Sequence, residues 1–253
     1  MNKASSLIPQ SLKAFLLQLR NLKNETLAFR YFGTGRFCPV CEKESSRFRP
    51  FGLVVREEAQ CVHCKSLERH RFMWLYFQTK TDLFDGQPKQ MLHIAPEPCF
   101  APRLAERLGQ NYLTADLFSP NVMIKMDITD IQYGDKSFDV IYCSHVLEHV
   151  PDDHRALSEF YRTLKNDGWA IINVPIEGEK TREDLSITDP AERLKRYGQE
   201  DHVRIYGADY IDRLRAAGFK VEMLKVSDIV NDAEVVKMGL TSASGEIFYC
   251  TKG

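Results

Sequence analysis

The chain has 253 residues, 43% of them hydrophobic and 27% charged, which is enough to bury a full core and leave room for a small second domain. Its formal net charge of -1 hides an asymmetry, because residues 1–80 hold 14 Lys+Arg against 6 Asp+Glu while residues 81–253 hold 20 against 29. No apolar run approaches the roughly 20 residues that cross a bilayer. Ala14–Leu19 is too short for a signal peptide, and the seven cysteines form no even disulfide framework, so a cytoplasmic protein with reduced thiols is expected.

Leu12, Phe15, Leu16, Leu19 and Leu22 recur at helical spacing after Pro9 and Ser11, which predicts an amphipathic helix. CPVC at Cys38–Cys41 and CVHC at Cys61–Cys64 follow. Two thiolates two residues apart on a tight turn share one metal ion, and two such turns complete a tetrahedral site, so Cys38, Cys41, Cys61 and Cys64 predict a structural zinc ribbon. Four cysteines leave no open coordination position, and zinc catalysis is not expected there. Ser66 is placed to cap a helix through LERHRFMWLYFQ, whose aromatics Phe72, Trp74, Tyr76 and Phe77 read as core. Arg69, His70 and Arg71, with Phe29–Phe32 and Arg47–Phe51, interleave cations and aromatics in a pattern that suits either nucleic acid or a packed domain face.

From Lys89 onward, short apolar runs alternate with helical stretches: MLHIA, PRLAERL, NYLTADL, VMIKMDI, FDVIYCS, DDHRALSEFYRTL and GWAIINV. Such alternation predicts an α/β fold, a Rossmann-like parallel sheet with helices on both faces, whose ligand binds at the carboxyl ends of the strands. Asp116 ends a strand about 20 residues after the first loop, where an acid accepts from ribose hydroxyls. Asp127 ends the next strand, placed to accept from an adenine amine.

These segments, over roughly Lys89–Val226, resemble the class I S-adenosylmethionine (SAM)-dependent methyltransferases of type 11. The resemblance implies that Asp116 with Leu117 binds ribose, that Asp127 with Ile128 flanks adenine, and that Ser144 and His145 border the sulfonium. It also implies three regions: a helical segment at 1–35, a zinc ribbon and following helix at 36–80, and the methyltransferase domain at 81–253 with a lid insertion around 176–206. LERHR, HIAPE and DHVRIYG together with the ribbon further resemble a bacterial subgroup associated with modification of surface glycans or related small molecules.

The first loop departs from the family pattern of an acid followed by a glycine-rich turn, for it reads His93, Ile94, Ala95, Pro96, Glu97, Pro98, Cys99. Glycine serves there because the backbone turns sharply and approaches the ligand. Ala95 is small enough for that approach, Pro96 and Pro98 fix their own φ, and Glu97 is placed to supply the missing carboxylate for the cofactor ammonium. His93, Ala95, Pro96 and Glu97 are therefore cofactor-loop candidates.

His145, Glu148 and His149 form HxxEH, and helical spacing would put all three on one face. Quinone-type and small-RNA ribose O-methyltransferases resemble it in carrying a Glu-His divalent-metal pair, and His202 is a candidate further ligand for a second divalent metal at His145, Glu148, His149 and His202. Three imidazoles and a carboxylate favour zinc, iron or manganese over magnesium. The alternative is that Glu148 and His149 pack a helix start while His145 walls the cofactor. His145, His149 and His202 are candidate general bases, with Tyr206 and Arg204 orienting substrate. The leading expectation is methyl transfer to a hydroxyl or amine of a small-molecule or glycan-like acceptor, anionic acceptors included. An RNA methyltransferase gripping nucleic acid with its basic ribbon, and a non-catalytic scaffold with a degenerate loop, are the alternatives.

Overall fold

The computed structural model describes residues 29–52 and 54–253, and the helix expected after Pro9 lies outside them. The chain forms two compact units, one combining the described residues up to Trp74 with Asn231–Ser244, the other combining Leu75–Val230 with Gly245–Gly253.

The first unit holds two antiparallel ribbons, β1 (Arg36–Cys38) with β2 (Lys43–Ser45) and β3 (Arg49–Phe51) with β4 (Arg56–Gln60). Helix α1 (Glu68–Lys80) follows, with its residues to Trp74 in this unit and those from Leu75 in the second. Phe72, Trp74, Tyr76 and Phe77 are all buried, as core aromatics should be. Ser66 does not cap this helix. The Leu67 amide donates instead to His70 Nδ1 at 3.0 Å, and the Ser66 hydroxyl lies against sulfur.

A segment from far along the chain completes the unit: a helix, Asp232–Met238, ends at Gly239 with a φ of 59°. There a Cβ would come within 2.8 Å of the Phe48 ring. Arg71 fastens this segment. Fully buried and stacked 4.1 Å over Phe48, it donates to the carbonyls of Ala59 (2.9 Å), Ser66 (3.1 Å), Met238 (2.6 Å) and Gly239 (2.9 Å). A basic residue that seemed fit for phosphate is thus a core bracket.

The second unit is a seven-stranded sheet in the order β12-β13-β9-β8-β5-β6-β7. Its parallel part comprises β5 (Met91–Ile94), β6 (Tyr112–Asp116), β7 (Ile124–Lys125), β8 (Phe138–Ser144) and β9 (Leu164–Asn173). Helices α2 (Ala101–Leu108) and α3 (Asp153–Thr163) connect strands, and α3 is capped by the Asp152 carboxylate accepting from the Arg155 amide. β10 (Arg182–Glu183) and β11 (Arg204–Ile205) pair antiparallel around α4 (Pro190–Tyr197). Then α5 (Tyr210–Ala216), β12 (Phe219–Leu224) and β13 (Ile247–Lys252) close the sheet, β13 running antiparallel between β9 and β12.

Strands β5, β8 and the second half of β9, Trp169–Ile172, are nearly continuous apolar runs because both of their faces are covered. Strand order reverses at β5, which places the topological switch point between β5 and β8.

Arg71→Leu should lower unfolding stability by at least about 2 kcal/mol, since it orphans several buried carbonyls at once. Chemical denaturation monitored through Trp74 fluorescence checks this.

Candidate functional site

In the first unit the four cysteines converge. Each pair sits on the same turn: the Glu42 amide donates to the Cys38 carbonyl at 2.8 Å and the Lys65 amide to the Cys61 carbonyl at 3.1 Å. Glu42 and Lys65 both take left-handed φ values, 57° and 67°. The sulfurs of Cys38 and Cys64 lie 3.6 Å apart and those of Cys41 and Cys61 3.7 Å apart, with all four within 4.8 Å. Zinc–sulfur bonds of about 2.3 Å in a tetrahedron set sulfur edges of roughly 3.8 Å, so the donor set fits that ion. The Ser66 hydroxyl, buried, lies 3.1 Å from Cys38 Sγ and 3.2 Å from Cys64 Sγ. The thiols are close enough to act on one another, which lowers the Cys64 thiol and raises those of Cys38 and Cys41.

In the second unit the strand register lines up the cofactor candidates. Ile94 pairs with Ala115 on one side and Cys143 on the other. The next residues, Ala95, Asp116 and Ser144, therefore stand abreast at the carboxyl edge, each about 5 Å from its neighbour. The Ala95 amide donates to the Ala115 carbonyl at 2.8 Å, and Ala95 has a φ of 49°. It occupies the left-handed conformation that glycine would hold without strain. His145, also left-handed at 57°, donates its amide to the Asn173 carbonyl at 2.9 Å.

Glu97 is gripped from beneath. His93 Nε2 lies 2.6 Å from Glu97 Oε2, and the Tyr142 hydroxyl donates to Glu97 Oε1 at 2.9 Å. The Tyr112 hydroxyl completes the chain at 2.7 Å from His93 Nδ1. Burial and the Glu97 charge push the Tyr142 hydroxyl far above its ordinary range, which keeps it a donor. His93 itself is fully buried with both ring nitrogens engaged, so it holds Glu97 and does not reach a cofactor.

Asp116 Oδ1 accepts from the amides of Phe118 (2.7 Å) and Ser119 (2.6 Å), and its Oδ2 has no partner among the described residues. Leu117 is 47% and Phe118 84% exposed beside it. Phe118 escaped notice in the sequence, where a lone aromatic in a polar loop carries no pattern. Asp127 is exposed, its Oδ1 accepting from the amide and hydroxyl of Thr129, both at 2.8 Å, while Ile128 is buried against the core.

The HVLEH stretch is not the α-helix that its spacing suggested. It forms one 3₁₀ turn, Leu147–His149, after the left-handed His145, so the expected shared helical face is absent. Glu148, His149 and His202 still come together, with one donor atom of each within 4.8 Å of the others, and His145 stands outside that group. Burial and the adjacent His149 lower the affinity of His202 for a proton. Tyr206 is fully buried and donates to Asp153 Oδ2 at 2.6 Å; burial pushes its hydroxyl well above the ordinary range. Arg204 is buried too, with its donors on the carbonyls of Leu147 (2.8 Å), Val150 and Pro151 (2.8 Å) and on Glu183 (2.8 Å). Neither side chain is free to orient a substrate, and both act as internal brackets. A cleft of about 490 Å³ lined by residues such as Leu83, Lys89 and Asn111 lies at the amino end of the strands, the wrong edge for this chemistry.

Residues 90–172 match the family model described as methyltransferase domain. The chain carries a class I SAM-dependent methyltransferase domain with a Rossmann-like sheet. Among curated relatives, it is 38% identical over 52 residues to the uncharacterized protein YafS of Escherichia coli, covering 21% of this chain and 22% of that one. It is 32% identical over 73 residues to phosphoethanolamine N-methyltransferase 2 of Caenorhabditis elegans, covering 28% and 17%. The chain thus spans about a fifth of the length of these relatives. A SAM-dependent methyltransferase from Mesorhizobium loti is similar in structure at 13% identity, with a TM-score of 0.47 over 71% of this chain and 97% of that one. No helix of the described residues is long and apolar enough to cross a membrane.

Cys38→Ser should remove a single tightly held zinc equivalent, read by metal analysis of the dialysed protein. Glu97→Leu should cost about 1–3 kcal/mol for each polar group it orphans, His93 and Tyr142, measured by thermal unfolding.

Proposed function

We propose that the methyltransferase domain of this chain moves a methyl group from SAM to a hydroxyl or amine of a small-molecule acceptor. The alignment of Ala95, Asp116 and Ser144 at the carboxyl edge of β5, β6 and β8 carries this proposal. The residues fit the cofactor. Asp116, with one carboxylate oxygen unpartnered, would hold the ribose beside Leu117, and Asp127 with Ile128 would flank the adenine. Ala95 and Pro96 would let the backbone approach, and Glu97, fixed by His93 and Tyr142, would face the methionine ammonium. Bound SAM supplies a methyl already activated on a sulfonium.

What the chain's own residues must do is align the acceptor and remove its proton. His145, next to Ser144 and partly exposed, is the imidazole best placed for that; Tyr206 is excluded by its burial. A small acceptor accords with the phosphoethanolamine-methylating relative, although that likeness spans only 28% of this chain. Of the cations and aromatics that suggested nucleic acid, Arg71 and His70 are buried while Phe29 and Phe32 stay exposed, so a nucleic-acid role keeps only part of its basis. The zinc knuckle acts structurally, its four sulfurs leaving no coordination position open.

Calorimetry with SAM and with its demethylated product tests the pocket. Both should bind, and Asp116→Ala should weaken them roughly tenfold or more, the loss of a charged hydrogen bond. Heat from neither ligand would sink the proposal. Methyl-labelled SAM, offered with a panel of small amines and alcohols and with RNA, should label a small molecule, and His145→Gln should slow turnover about 10²–10⁴-fold while cofactor binding persists.

A further inference from the structure

We propose that Glu148, His149 and His202 hold a divalent transition-metal ion, at a second metal site distinct from the four-cysteine knuckle. One donor atom of each lies within 4.8 Å of the other two. The argument rests on what these side chains leave unmade. Glu148 is 2% exposed, and its Oε2 has no hydrogen-bond partner, while Oε1 lies 3.5 Å from His145 Nδ1. His202 is 6% exposed, and its Nε2 also lacks a partner. A buried carboxylate oxygen and a buried ring nitrogen left bare are costly, and a cation between them would satisfy both at once.

The imidazoles are set for ligation. His202 Nδ1 donates to the Tyr197 carbonyl at 3.2 Å, which fixes the tautomer whose Nε2 carries a lone pair. His149 Nδ1 lies 3.1 Å from Asp201 Oδ2, the carboxylate-to-histidine arrangement that orients and strengthens a metal-ligating ring. The frame around them is fixed. The Val203 amide donates to the Glu148 carbonyl at 2.9 Å, and Arg204 ties the carbonyls of the same turn. His149 is about one-third exposed, so an ion can enter, and three protein ligands leave coordination open to water or another molecule. Two imidazoles and one carboxylate select zinc, cobalt, iron or manganese over magnesium or calcium.

The test is a cobalt(II) titration of the full chain after its knuckle zinc has been confirmed by metal analysis, with no SAM present. That choice keeps the result separate from the methyl-transfer proposal. The expected result is one further equivalent of cobalt, showing d–d absorption without thiolate charge transfer and raising the melting temperature. Glu148→Gln and His202→Gln, each checked for folding by circular dichroism and for retained knuckle zinc, should weaken that equivalent roughly tenfold or more. Cobalt binding confined to thiolates, or a nitrogen- and oxygen-ligated equivalent that survives both substitutions, would overturn the site.

Discussion

The chain between β8 and α3 has one 3₁₀ turn and little regular hydrogen bonding of its own, and the Arg204 guanidinium supplies what it lacks. Three carbonyls between Leu147 and Pro151 point at this one cation, whose charge is matched by Glu183 and, at 3.8 Å, by Asp153. Burying a guanidinium is costly, and the arrangement persists because its donors have acceptors. Asp153 is shared with Tyr206 and Arg213, so α3, α5 and β11 are joined through a single buried carboxylate. The position of Glu148, His149 and His145 beside the sheet edge follows from that cluster.

This cluster was not legible in the sequence. His202, Arg204 and Tyr206 are spaced two apart, and extended chain puts such residues on one face. All three are buried. Polar character drew attention to them as substrate groups, and their apolar neighbours Val203 and Ile205 gave no sign that they face inward; the structure buries Val203 as well. Asp116 was legible because it ends an apolar run whose length defines β6, whereas β7 stops at Lys125, two residues before Asp127. The paired CxxC spacing was equally direct, because two thiols per turn admit few other purposes. Ser66 was misread as a cap since the sequence does not reveal that sulfur lies within reach of its hydroxyl. HVLEH failed as a helix at His145, whose left-handed backbone no local rule for histidine predicts.

The opening loop shows how a family pattern can be kept in geometry while its letters change. Its turn survives as the left-handed Ala95, and a carboxylate, Glu97, stands four residues after His93 and 2.6 Å from its ring. Histidine near the strand end gives that carboxylate a donor, and Tyr142 gives another from the adjacent strand. Backbone strain of this kind, on the order of 1–3 kcal/mol per residue, persists where surrounding contacts over-determine the conformation. Ala95 and His145 each lie one residue beyond the neighbouring strands β5 and β8, and both are held by backbone bonds to the sheet.

The return of Asn231–Ser244 to the first unit sets the order in which the protein can be completed during synthesis. The four cysteines leave the ribosome early and can gather an ion at once, yet two of the carbonyls that satisfy Arg71, those of Met238 and Gly239, emerge only after nearly the whole sheet has been translated. Until then a guanidinium destined for the interior remains hydrated, and Phe48 lacks the close-packed backbone of Gly239. The earliest part of the chain to bind an ion is therefore among the last to finish folding, which departs from the N-terminal-first order usual for successive domains.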